Sequence, residues 1–278
     1  MTLLAVAVSG RGLVDPDEPV VHADDEAFLR GRGAFETTRV YAGTPFRLAE
    51  HLDRLAESVR RLGLPPVDRS EIEGLVRVAL DAAAVEEASL RVYYTPGREG
   101  RDKPLSLAMV CALPPGLEEM RERGIGLISV PLGQVGPAPL GGVKSTSYAL
   151  NMVAVHEAKR RGEDDAVFLA EGGIVLEGPT TNVWWRQGQE LFTPALELGV
   201  LAGVTRAVLL DAAPRLGYDV REGSFPLAEL AGGEESFTSS SVREVMPVVR
   251  LDGEQVGSGS PGPAAAEMQQ ALRDRAAR

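Results

Sequence analysis

Cysteine occurs once in this chain, histidine three times and tryptophan twice. His22, His51 and His156 stand far apart without ligand spacing, which argues against a metal centre. The single Cys111 excludes a disulfide within the chain. It lies inside the apolar run Leu107 to Leu113, so a buried strand position and a reducing, cytoplasmic setting are expected. No apolar run is long enough to span a membrane. The patch in MTLLAVAVSGRG has no basic segment before it and is too short for a signal sequence, so it reads as a first strand. Basic excess is missing as well. A formal net charge of -11 at pH 7 argues against nucleic acid or an anionic membrane as partner, because phosphate binding needs a basic face.

At 278 residues the chain exceeds what one core holds comfortably, and two domains are expected. Ala34 to Tyr41 alternates as a strand and is followed by the turn AGTP. Leu48, Leu52, Leu55, Val59 and Leu62 then recur at three and four, which predicts an amphipathic helix stopped by Gly63 and Pro65. A second helix is expected over Ser70 to Ala84, with Ser70 and Glu73 at capping-box spacing. SLRVYYT at 89–95 and the run 105–113 read as a hairpin with a basic tip, PGREGRDKP. Breaks at Pro114 to Gly116 and at Pro131 to Gly142 place the boundary. The organisation expected is α+β in two domains, with a small N-terminal α/β domain over 1–118 and a larger C-terminal mixed β domain with helices over 119–278. In the larger domain a helix is expected from Thr146 to Arg161 and another from Thr205 to Leu216, among short strands.

Chemistry collects on Gly141 to Asn151, GGVKSTSYALN, where Lys144 heads a helix-like run with Tyr148 one helical turn on. Lys144 is a candidate nucleophilic amine of the Schiff-base kind. Glu177, in VLEGPTTN, follows an apolar run and begins a turn, so a partly buried carboxylate in need of a partner is expected. Gly203 to Arg206, GVTR, is a glycine turn opening a helix, which offers free N–H groups to a phosphate. Thr238 to Ser241, TSSS, supplies hydroxyls and N–H groups after a strand. An amine, a buried acid and two anion sites are the fittings of pyridoxal 5'-phosphate: an aldehyde, a ring nitrogen and a phosphate.

HLDRL at 51–55, VKSTSYALN around the lysine, EGPTTNVW at 177–184, LAGVTR at 201–206 and TSSSVREVMPV at 238–248 resemble the class IV (fold type IV) pyridoxal-phosphate enzymes. That family includes D-amino-acid aminotransferases, branched-chain aminotransferases and 4-amino-4-deoxychorismate lyase. The resemblance runs in order from about Gly31 to Gly257. It implies that Lys144 carries the cofactor and moves the Cα proton, that Tyr148 meets the cofactor's phenolic oxygen, and that Glu177 meets the ring nitrogen. It also implies Arg54, the N–H groups of Val204 and Thr205, and the Ser241 hydroxyl on the phosphate, with Leu201 packed on the ring. An active site between the domains and a homodimer lending a loop are further implications.

Taken singly, the pieces have plainer readings. Arg54 could be a solvated partner of Glu50 or Glu57, and Ser239 to Ser241 an ordinary loop. Trp184 and Trp185 read as core and rim aromatics rather than cofactor stackers. RGRGAF has glycines, but not the spacing of a dinucleotide loop.

Substrate choice turns on the groups that meet a carboxylate: Arg30, Thr37, Arg91 and Arg101, with Arg32, Arg98 and Lys103 nearby. Arg91 follows Leu90 on a strand and points to the opposite face, which is either the pocket or an exposed surface. Ser89, where branched-chain enzymes of the family show a tyrosine, weakens that reading. Thr37, Arg91 and Arg101 agree with the lyases, while KSTSYALN and EGPTTN look more like the transaminases. The leading expectation is an aminotransferase taking D-amino acids, with some (R)-amine activity, and using 2-oxoglutarate or pyruvate as acceptor. The lyase is the close alternative, and a non-catalytic cofactor- or anion-binding protein the third.

Overall fold

The computed structural model describes residues 2–101, 103–132 and 140–277, so 133–139 of the second Pro/Gly-rich stretch lie outside the described residues. The chain divides into two compact units, Met1–Pro115 with Val143–Tyr148, and Gly116–Gly142 with Ala149–Arg278.

The first unit is a six-stranded sheet backed by helices. Its elements are β1 (Leu3–Val8), β2 (Gly12–Val14), α1 (Glu26–Arg30), β3 (Ala34–Tyr41), β4 (Thr44–Pro45), α2 (Leu48–Arg61), α3 (Arg69–Ala83), β5 (Ala88–Thr95) and β6 (Leu105–Cys111). Strand order is β2-β1-β6-β5-β3-β4, all antiparallel. The apolar stripe of α2 buries Leu52, Leu55 and Val59 with Ile72, Leu75 and Val76 of α3, against Val40, Leu90, Val92 and Val110 of the sheet. Burial of this kind is worth roughly 1.5–3 kcal/mol per large side chain. The stop signals act as expected, and α2 ends at Arg61, one residue short. The cap of α3 differs from expectation. Asp68, with extended backbone, accepts the Glu71 N–H at 3.0 Å, and Ser70 instead donates its hydroxyl to Asp68.

Val143–Tyr148, which a division at residue 118 puts in the second domain, packs in the first unit. The expected helix starts only at Ala149, because the backbone of the segment is already in use. Ser145 bridges Ala34, Phe35 N–H donates to the Lys144 carbonyl at 3.1 Å, and Thr146 N–H donates to the Gly33 carbonyl at 2.9 Å. The segment therefore extends the edge of β3.

In the second unit come α4 (Leu117–Arg123), β7 (Ile125–Pro131), α5 (Ala149–Arg160), β8 (Asp165–Ala170), β9 (Ile174–Val175), β10 (Asn182–Gln187), β11 (Glu190–Pro194) and α6 (Val204–Ala212). They continue with β12 (Asp219–Gly223), α7 (Leu227–Ala231), β13 (Glu235–Ser240), β14 (Glu244–Leu251), β15 (Glu254–Gln255) and α8 (Pro263–Ala276). The sheet runs β12-β11-β10-β13-β14-β7-β8-β9, with β15 on β14, and mixes parallel and antiparallel pairs. Trp185 packs among Val183, Met246, Val248 and Leu230, in contact with Phe192 and Phe225. Trp184 stacks on Phe237 and donates its Nε1–H to Ser239 Oγ at 2.9 Å. Both tryptophans are core residues, so the rim position expected for one of them is not found. No helix among the described residues is long and apolar enough to cross a membrane.

Candidate active site

In the first unit the candidate residues gather around β3, whose alternation sends Glu36 to the helix-backed face and Phe35 and Thr37 to the other. Lys144 Nζ stands 4.4 Å from the centroid of Phe35 and 5.8 Å from that of Tyr148. Phe35 stacks on Tyr93 at 5.3 Å and meets Tyr148 edge-on at 5.2 Å. Tyr148 thus reaches the lysine across a shared aromatic ring, not along the helical turn that the spacing suggested. The Lys144 N–H donates to Ser58 Oγ at 3.2 Å.

The glycines of RGRGAF, which carried no assignment in the sequence, make room for this segment. A Cβ on Gly31, at φ 65°, would overlap Ser147 Oγ. One on Gly33 would come within 3.0 Å of Thr146 Oγ1 and 2.9 Å of Ala27 Cβ. The Ser147 hydroxyl donates to the Gly31 carbonyl at 3.0 Å. The two glycines are the landing surface of the lysine segment.

Arg54 meets neither Glu50 nor Glu57 through its Nε and Nη2. Those atoms donate to Glu36 Oε1 and Oε2, both at 2.7 Å, and His51 Nδ1 lies 2.7 Å from Oε2. Glu36 is 2% exposed and His51 1%. Burial opposes ionisation of Glu36, but the Arg54 guanidinium and the His51 contact override it and hold the pKa at about 2. Burial pushes the His51 pKa down, helped by the charges of Arg54 and Lys144 and opposed by Glu36. His51, Arg54 and Ser58 recur at three and four on α2, so one helix stripe touches both Glu36 and the lysine segment. The sequence alone does not single out Glu36 and His51, because nothing marks a glutamate as buried until its strand face is known.

Leu90 lies in the helix-backed core, and Arg91 therefore points to the face that carries Phe35 and Thr37. Its Nε is buried and has no hydrogen-bond partner among the described residues. Thr37 lies directly across from it in the β3–β5 register. The other arginines behave differently. Arg30 is exposed and paired with Glu99, Arg98 with Asp24, and Arg32 with Glu26. Arg101 is exposed and makes no side-chain hydrogen bond or ion pair among the described residues.

The second unit carries the acid and the anion-binding backbone. Glu177 is half-buried, and its Oε2 accepts the Leu201 N–H at 3.1 Å and Asn182 Nδ2 at 3.3 Å. Leu201, also half-buried, leads through Gly203 into α6, which has no side-chain cap. The N–H groups of Val204 and Thr205 have no acceptor among the described residues. Of TSSS, Thr238 to Ser240 lie within β13 and Ser241 begins the turn after it, so the cluster is mostly strand, not loop. Strand pairing with β10 and β14 uses those backbones.

Comparison with known proteins agrees with this chemistry. The family model for amino-transferase class IV matches residues 33–251. The chain is 32% identical over 269 residues to a bifunctional aminodeoxychorismate lyase / D-amino acid transaminase of Mycobacterium tuberculosis, covering 91% of this chain and 93% of the relative. A fold IV-transaminase from Curtobacterium pusillum superposes with TM-score 0.88 at 32% identity, covering 97% of this chain and 92% of that one. A hypothetical aminotransferase from Mycobacterium tuberculosis, in an α-ketoglutarate- and PMP-bound form, superposes with TM-score 0.91 at 30% identity, over 98% of both chains. The chain has the type IV fold, belongs to the class IV aminotransferases, and is an enzyme that works with pyridoxal 5'-phosphate.

Proposed function

We propose that the chain transfers amino groups from D-amino acids, and from some (R)-amines, to a 2-oxo acid such as 2-oxoglutarate or pyruvate. The observation that carries this reading is Arg91, a half-buried guanidinium on the Lys144 face of the sheet with no partner for its Nε among the described residues. A charge held in that way is stabilised by an incoming carboxylate. The donor's hand is supported by the D-amino acid transaminase activity in the name of the Mycobacterium relative.

The residues fit the cofactor. The acceptor-less N–H groups of Val204 and Thr205 point to an anion at the head of α6. Glu177 is held in place by the N–H donors of Leu201 and Asn182. Pyridoxal 5'-phosphate, when bound, supplies the carbonyl that carries the amino group and a ring that withdraws electrons from the substrate Cα. Lys144 would hold the cofactor through its amine and, once the substrate's amino group has taken its place there and freed it, would take and return the proton at the substrate Cα. Glu177 would keep the ring nitrogen protonated. Val204, Thr205, Ser241 and Arg54 would bind the phosphate, Leu201 would pack on the ring, and Tyr148 would donate to its phenolic oxygen. Arg91, with Thr37, Arg30 and Arg101 as further contacts, orients the carboxylates of the substrates.

Aminodeoxychorismate lyase activity is the second reading. Thr37 standing across from Arg91, together with Arg101, which is unpaired among the described residues, favours it, as does the first half of the relative's name. The branched-chain reading has less support, with Ser89 buried at the strand position before Leu90. A cytoplasmic homodimer is part of the proposal. Phe28 on α1 is 72% exposed and Val153 on α5 64%, with Leu150 and Met152 beside Val153, and such apolar surface suits a second copy.

The test is an absorbance scan of the holoenzyme with D-alanine, D-glutamate, L-leucine and (R)-1-phenylethylamine added separately. The reading expects the D-amino acids to replace the visible band by that of the aminated cofactor. Conversion by L-leucine alone would move the chain to the branched-chain enzymes. Inertness to all four, with 4-aminobenzoate formed from aminodeoxychorismate, would establish the lyase.

A further inference from the structure

Asn182, the first residue of β10, is 6% exposed. It joins three pieces of chain in the second unit. Its Nδ2 donates to the Leu201 carbonyl at 2.9 Å and to Glu177 Oε2 at 3.3 Å. The Leu201 N–H donates to the same Oε2 at 3.1 Å. Both partners of Nδ2 are acceptors, so the orientation of the amide is fixed. Its other end faces Gly203, where an added Cβ would overlap Asn182 Oδ1. Gly203 is the cap of α6, the helix whose first N–H groups lack acceptors. One buried amide therefore touches the acid, the backbone beside it and the head of the helix.

We propose that Asn182 is a positioning residue, which locks the Glu177 carboxylate to the Leu201–Gly203 turn so that the acid and the N–H groups of α6 present themselves in one fixed arrangement to the cofactor. The inference rests on the roles given to Glu177 and α6 above. Without the amide, Oε2 keeps the Leu201 N–H but loses one of the two donors that orient it. An aspartate at the position keeps the shape and reverses the chemistry, setting a second carboxylate against two acceptors. Gly203 follows from the same arrangement, since only a residue without a side chain leaves space for Oδ1.

A double-mutant cycle tests this, with pyridoxal 5'-phosphate affinity of the apoenzyme read by fluorescence titration and the melting midpoint of the apoenzyme read alongside. Asn182→Ala is expected to weaken cofactor binding about tenfold to a hundredfold in the wild-type background, and much less in Glu177→Gln. Asn182→Asp, which preserves volume, is expected to lose at least as much as Asn182→Ala and covers the case in which the alanine variant does not fold. An equal loss in both backgrounds, tracking a lowered apoenzyme midpoint, would make Asn182 merely structural and overturn the inference. Unchanged cofactor binding in Glu177→Gln alone would instead overturn the role given to Glu177.

Discussion

His51 Nδ1 and Glu36 Oε2 are 2.7 Å apart in the first unit, and the same oxygen receives Arg54 Nη2 at 2.7 Å. A carboxylate shared in this way makes stability depend on pH with a definite sign. The Glu36 pKa is lowered from 4.5 to about 2, so its contribution is complete above 4.5 and is lost as pH falls toward 2. His51 is lowered from 6.5, so its contribution is complete above 6.5 and fades as acid protonates the buried ring. Both groups destabilise in acid. The melting midpoint is expected to fall steadily from pH 6.5 to about pH 3, and the part below about pH 4.5 is expected to flatten in Glu36→Gln. Melts followed by circular dichroism check this, and a wild-type midpoint constant over that range would contradict it.

Gly31 and Ser147 carry a second prediction. Gly31→Ala puts a methyl group on Ser147 Oγ and a side chain at φ 65°, so the lysine segment must shift. The strain alone costs about 1–2 kcal/mol. Amino transfer is expected to slow on the order of tenfold to a hundredfold through misplacement of Lys144. Ser147→Gly in the same chain is expected to recover part of the rate, because it removes the overlapped hydroxyl. Gly74, with open space around it on α3, is the control, and Gly74→Ala is expected to leave the rate unchanged. Steady-state rates of the three variants beside the wild type decide the matter.

Arg91 separates binding from stability. A half-buried guanidinium whose Nε has no partner contributes little to folding, so Arg91→Met is expected to leave the melting midpoint unchanged or raised. The KM for 2-oxoglutarate is expected to rise roughly tenfold to a hundredfold through loss of a charged contact. A midpoint several degrees lower with KM unchanged would show the residue to be structural.

The sequence was most readable where one periodicity governs a long element. α2 and the strands β1, β3 and β5 lie within a residue of their expected limits, because apolar spacing and glycine or proline stops act locally. Strand β7 escaped, since a buried strand between parallel neighbours shows no alternation, and β12 escaped as a short, mostly exposed strand at the sheet edge. Lys144, Glu177 and the head of α6 could be picked out by residue type. Their surroundings could not. The Glu36 contacts with His51 and Arg54 span 15 and 18 residues and that of Asn182 with Leu201 spans 19, and contacts at that separation leave no local mark. Glu244 is similar: buried at φ 58° and paired with Arg121 and Arg273, it ties α4 and α8 to β14.

The scarcity of lysine lets one experiment locate the amine that carries the cofactor. The chain has three lysines, Lys103, Lys144 and Lys159. Borohydride reduction of the holoenzyme fixes the cofactor to whichever lysine holds it, and peptide mass mapping then locates the added mass. The adduct is expected on the peptide containing Lys144 and is expected to be lost in Lys144→Ala, with amino transfer falling on the order of 10²-fold to 10⁴-fold. An adduct on Lys103 or Lys159, or Lys144→Ala retaining wild-type turnover, would contradict the role given to Lys144.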